Sequence, residues 1–121
     1  MANASLVIGN WKMNGNAALT RSMTDALRSA QQPTDSVKVV VCPPFTLLGE
    51  LTRHCYYDNI AVGAQNVNAN ENGAHTGEVS IEMLKELGVE YVIIGHSERR
   101  AMYGDSDDVV AAKTAAATAA G

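Results

Sequence analysis

The sequence predicts a parallel α/β fold. Four short runs, "SLVIGN" (5–10), "VKVVVC" (37–42), "IAVGAQN" (60–66) and "YVIIGHS" (91–97), are rich in Val and Ile. They are continuous rather than alternating, as strands covered on both faces are. Segments with helical spacing separate and follow them, which gives the order β-α-β-α-β-α-β-α. Such alternation implies parallel strands joined by right-handed crossovers.

Each helix has its own signature. Leu19, Met23, Ala26, Leu27 and Ala30 recur at spacings of three and four, which predicts one buried amphipathic face. Residues 46–55 form a shorter helical stretch, with Leu47, Leu48 and Leu51 behind Pro43 and Pro44. In the third helix Ser80 is the expected cap, Ile81, Leu84 and Leu87 the buried stripe, and Gly88 the left-handed residue after the end. The fourth strand, over 91–94, leads into a short helical turn over 97–102. The last helix begins near Ser106, with Asp107 and Asp108 in its first turn where the helix dipole favours negative charge. It continues as "VVAAKTAAATAA" to Gly121, mostly in a strong helix former.

A chain of 121 residues is long enough for one core. Its net charge of −4 argues against a general nucleic-acid or anionic-membrane binder and leaves small anions open. Cys42 and Cys55 lack metal-ligand spacing, and two thiols in a chain with its own core fit a reducing compartment. The start "MANASLVIGN" has no signal-peptide pattern. No apolar run approaches the roughly 20 residues that cross a bilayer. The expected location is the cytoplasm. His54, among Arg53, Tyr56 and Tyr57, reads as surface, and Cys42 as a buried small hydrophobe.

Two architectures suit the alternation: an open doubly wound sheet, which length favours, and part of a (β/α)8 barrel. The strand ends discriminate, because parallel α/β folds collect functional groups there. A receiver-type open sheet needs acidic residues after its first and third strands, where this chain has Asn10 with Lys12, and Gln65 with Asn66. The strings "IGNWKMN", "CPPF", "GAQN", "GAHTGEVS" and "IGHSERR" together closely resemble the triosephosphate isomerase family, in its order and at its spacing. The resemblance runs from about Leu6 to Gly121 and covers the first four βα units. It implies that residues 1–121 are the N-terminal half of a single TIM-barrel domain, a half barrel of parallel strands. A whole (β/α)8 barrel takes roughly 250 residues.

That resemblance implies interconversion of dihydroxyacetone phosphate and glyceraldehyde 3-phosphate through an enediolate, in glycolysis and gluconeogenesis, with no cofactor and no metal. Such chemistry needs a base, donors aimed at the developing negative charge, and a grip on the phosphate. His96 is the expected electrophile at the start of the 97–102 turn, a neutral ring donating to substrate oxygens; this family is the standing example of such a histidine. Lys12 is expected to place positive charge near the phosphate and the enediolate oxygen. Asn10 is expected to bind substrate and orient Lys12, with Gly9 freeing the backbone and Asn10 and Lys12 leaving an extended segment on one side. Glu98, with Ser97, is the expected support, Glu98 as the partner of Lys12.

The long polar loop 66–80 corresponds to one that, in the family, enters the neighbouring subunit. There the threonine matching Thr76 buttresses the partner's lysine and histidine, which implies a homodimer. His75 replaces a residue that is commonly aromatic. Glu78 and Arg99 are expected to pair across that interface, with Trp11 and Met13 packing around its socket. The family's general base follows a sixth strand, and no glutamate here occupies a matching motif. The 121-residue chain alone is therefore expected to be inactive. Its first and fourth strands should be open apolar edges. The alternative reading is a catalytically silent half barrel used for binding or assembly.

Overall fold

The computed structural model describes residues 5–30, 37–55 and 59–121. Tyr56, Tyr57 and the first four residues, named above, lie outside that set. The order is β1 (Ser5–Asn10), α1 (Ala17–Ala30), β2 (Val37–Cys42), a 3₁₀ turn (Phe45–Leu47), α2 (Leu48–His54), β3 (Ile60–Ala64), α3 (Ile81–Glu86), β4 (Tyr91–Val92), α4 (Ser97–Met102) and α5 (Asp107–Ala120). The strands lie in sequential order β1-β2-β3-β4, and every pairing is parallel. Sequential parallel order points all four carboxyl ends to the same edge of the sheet.

The core sits over β2 and β3. Val41, Leu48, Leu51, Ile60, Val62, Val67 and Leu84 are buried together, with Trp11, Leu27 and Ile94 packed against them. Val40, Cys42 and Ala61 form a second cluster with Tyr91 and Ile93. All of β3 is buried, as a strand covered on both faces should be. The outer strands differ. Leu6, Val7 and Ile8 of β1 are 49%, 57% and 51% exposed, on both faces of the strand, so the expectation of cover on each side holds only for the inner pair.

The fourth strand is shorter than its apolar run. Only Tyr91 and Val92 pair with Gly63 and Ala64, and one further bond joins the Ile93 N–H to the Ala64 carbonyl at 2.8 Å. Because β3 ends at Ala64, Ile94 has no partner to ladder with, whatever its propensity.

The first helix also corrects its expectation. Thr20 and Thr24 are the buried positions, Leu27 is half-buried, and Leu19 and Met23 stand exposed. Buried hydroxyls are tolerable here because each bonds a carbonyl one turn back, Thr20 to Asn16 at 2.9 Å and Thr24 to Thr20 at 2.8 Å. The apolar stripe lies beside this face, and like β1 it is open. Asn16 caps α1, accepting from the Leu19 N–H at 2.8 Å.

Later elements follow the sequence closely. Leu47, Leu48 and Leu51 are buried. Ser80 caps α3 and Ser106 caps α5, each accepting from the N–H three residues on at 3.3 Å. Gly88 has φ +86. Of the stripe expected for the third helix, Leu84 is buried, Ile81 half-buried, and Leu87, just past the end of α3, 42% exposed.

Gly95, which leads into α4, has φ +71, and a Cβ there would lie 3.1 Å from both Val110 methyls of α5. Gly95→Ala therefore combines a left-handed backbone with overpacking and should cost about 1–3 kcal/mol. Gly9→Ala meets nothing within 4 Å and should stay within about 0.5 kcal/mol of the parent. Paired urea unfolding curves check both.

Candidate functional site

Asn10 ends β1, Gln65 follows β3, and His96 follows β4, so all three sit at the common edge. The chain turns sharply after β1. Lys12 has φ +58, the one non-glycine among the described residues in the left-handed region, a conformation that costs roughly 1–2 kcal/mol. Two bonds to its backbone hold it there, and a third anchors the residue that makes one of them. The Lys12 N–H donates to Asn10 Oδ1 at 2.9 Å, and Gln65 Nε2 donates to the carbonyls of Lys12 and Cys42, each at 2.9 Å. The expected placement of Asn10 and Lys12 on one side of an extended segment is thus replaced by a turn. Gly9 is not in a positive-φ conformation; the strained residue is Lys12 itself.

This turn delivers the Lys12 ammonium to Glu98 Oε1 at 2.6 Å, with both side chains about half exposed. The hydrogen bond from Lys12 holds the Glu98 carboxyl below the ordinary carboxylate range, against a smaller effect of desolvation; the Lys12 charge adds to the lowering. Glu98 also contributes its backbone. Its N–H donates to His96 Nδ1 at 3.0 Å, making His96 the cap of α4. With Nδ1 accepting, the proton of a neutral ring sits on Nε2, the tautomer this bond assigns. One residue therefore touches Lys12 through its side chain and His96 through its amide. Ser97 is exposed at the first position of α4.

Residues 70–78 of the long loop are exposed, including His75 and Thr76. The loop is internally bonded at its root: the Asn68 N–H donates to the Val79 carbonyl at 2.8 Å, and Asn68 Nδ2 to Glu78 Oε1 at 2.8 Å. Trp11 packs on the core while Met13 is 94% exposed. His54 is half-buried, 3.4 Å from Glu50 Oε1. Cys42 and Cys55 are buried, and burial pushes the Cys42 thiol up to about 11.

A buried charged cluster lies behind the site and was missed in the sequence. Asp105 Oδ2 accepts from Arg99 Nε at 3.0 Å and from Lys113 Nζ at 3.0 Å; Lys113 Nζ also donates to Asn66 Oδ1 at 2.9 Å. Both Asp105 and Lys113 are 6% exposed. Burial pushes the Asp105 carboxyl up, but the bonds and charges of Arg99 and Lys113 more than offset it and hold it below its ordinary value. The one available signal was a single lysine in an alanine-rich helix, eight residues after an aspartate. A groove of about 1040 Å³ lies elsewhere, between residues 69–72, α3 and the end of α5.

A family model described as Triosephosphate isomerase matches residues 5–121. The chain belongs to the triosephosphate isomerase family. Its sequence is 55% identical over 121 residues to a triosephosphate isomerase of Idiomarina loihiensis, covering all of this chain and 48% of the relative. One from Alcanivorax borkumensis is 50% identical over 121 residues, again covering all of this chain and 47% of the relative. A third, from Shewanella denitrificans, is 50% identical over 120 residues, covering 93% of this chain and 45% of the relative. The chain thus spans about half the length of the curated relatives it matches, as the N-terminal half. Its four parallel strands are a half barrel, the first four βα units of the family's TIM barrel.

Because the Glu98 carboxyl is held below its unfolded value, the Lys12 contact contributes above that unfolded value and is lost as pH falls through the folded one. Carbonyl-carbon NMR of the side chain should find its titration midpoint below that of an ordinary glutamate. Lys12→Met should raise the midpoint toward the ordinary value.

Proposed function

We propose that this chain supplies the electrophilic half of an isomerase interconverting dihydroxyacetone phosphate and glyceraldehyde 3-phosphate. The observation that carries this reading is the Lys12–Glu98–His96 chain of contacts. It leaves the His96 Nε2–H free of the Nδ1 bond to donate to a carbonyl oxygen, and holds an ammonium on the Glu98 carboxylate, which lies 3.8 Å from His96 Nδ1. As a proton leaves the neighbouring carbon, negative charge grows on that oxygen. A fixed donor and a fixed cation lower the barrier most where that charge develops. Asn10 fixes the Lys12 backbone and is a candidate contact to substrate.

The whole protein, on this reading, has its general base beyond these 121 residues, acts in the cytoplasm on a phosphorylated triose, and is a homodimer. The exposed loop with His75 and Thr76 is the element proposed to reach the neighbouring subunit, with Glu78 and Arg99 at that interface. Residues 1–121 then form half of one domain. The open β1 favours a second reading, a silent half barrel that works by association. Sedimentation together with titration of a phosphorylated ligand separates the two: assembly without ligand binding supports the second.

In a full-length protein carrying this half, His96→Gln should lower kcat about 10²–10³-fold, as loss of an oxyanion donor does. A coupled assay of glyceraldehyde 3-phosphate formation reads it. The 121-residue chain alone should show no turnover. Turnover by that chain, abolished by His96→Gln, would sink the claim that the base lies outside it.

A further inference from the structure

We infer that Asp105 is a positioning residue: by clamping Arg99 and Lys113 it sets the rotation of α4, and through α4 the orientation of His96 and the Lys12–Glu98 contact. The inference rests on the reading of His96 and Lys12 as site residues. It concerns a part of the chain that touches neither of them.

The argument starts from the shortness of α4. Six residues make under two turns, too few for the helix to be stable or oriented by its own hydrogen bonds. None of its residues is buried, so packing alone does not set its rotation. Yet two site contacts depend on that rotation, since Glu98 gives its amide to His96 and its carboxylate to Lys12. Something outside the helix has to hold it.

Arg99 is the next residue along, roughly 100° further round the helix. Its Nε is bonded to Asp105, and the Asp105 N–H returns a bond to the Arg99 carbonyl at 3.2 Å. Side chain and backbone of one α4 residue are therefore tied to one aspartate. Asp105 is in turn fixed by Lys113 of α5, which also grips Asn66, two residues beyond the end of β3. The cluster joins the root of the 66–80 loop, α4 and α5 around one carboxylate. A second tie exists, from Arg100 Nε to the Gly95 carbonyl at 3.1 Å and from Arg100 Nη1 to Asp107 at 2.7 Å. Asp107 is 96% exposed, however, and an exposed pair restrains little compared with a buried one. The buried tie is the one that sets the helix.

Imidazole nitrogen NMR of the labelled 121-residue chain, near pH 8, tests this directly and without reference to turnover. The parent should show His96 with Nδ1 as the unprotonated acceptor. Asp105→Asn should shift the His96 pattern toward a mixture of the two tautomers and raise the Glu98 midpoint. Lys113→Met should act in the same direction, and Asp105→Glu, which keeps the carboxylate, should restore the parent pattern. A purely structural role predicts lower stability with the His96 pattern unchanged. A folded Asp105→Asn chain with the parent pattern overturns the inference, as does a parent whose His96 carries its proton on Nδ1. If Asp105→Asn does not fold, Lys113→Met decides by the same criteria. Failure of both to fold also counts against positioning, which requires a fold that outlasts the clamp. Loss of isomerase activity in the full-length protein would bear on the functional reading alone.

Discussion

Parallel pairing in sequential order is the constraint on which everything else rests. Each strand must return to the same end of the sheet before the next begins, so every strand's carboxyl end opens on one edge. Asn10, Gln65 and His96 are far apart in the chain and meet only because of that order. Among the described residues, the same order leaves β1 with a partner on one side only and apolar side chains in solvent. What creates the site also leaves the open edge, and α1 repeats it with an exposed Leu19 and Met23 beside a buried pair of threonines.

The site itself is held by balanced local costs. A left-handed lysine is unfavourable, and the bonds from Asn10 and Gln65 to its backbone, together with the contact to Glu98, are what offset it. Strain of this kind survives where surrounding structure over-determines the backbone, which is the situation at the end of β1. The ammonium is thereby aimed at α4 instead of out along the strand. Behind α4, a lysine and an aspartate are both buried. That is tolerable because no buried side-chain nitrogen or oxygen among the described residues lacks a partner, and it becomes costly if one is removed. The visible site is half exposed, while the groups supporting it are not.

Capping signals were legible because they act over three or four residues. Ser80, Gly88 and Ser106 do what their types and positions require, and the three leucines around 47–51 are buried as their spacing demands. The stripe in α1 misled because the hydrophobic pattern names a face that can be buried, not one that is. Its neighbours Thr20 and Thr24 could go inward because each satisfied its hydroxyl on its own helix. The fourth strand was overread for a related reason. Propensity belongs to a residue, but a ladder needs a partner, and β3 stops at Ala64.

By itself the sequence determined the βα order, the helix ends and the family, since these depend on local propensity and on short strings that meet no alternative. It also placed the candidate groups after the strands. Only the tertiary structure decided that Lys12 turns left-handed, that Gln65 braces it, and that Asp105 and Lys113 are buried together. These are pairings across 53 residues for Gln65 and Lys12, and 47 for Lys113 and Asn66. No periodicity records contacts at such separations, because they arise from the packing of whole elements and not from the residues between.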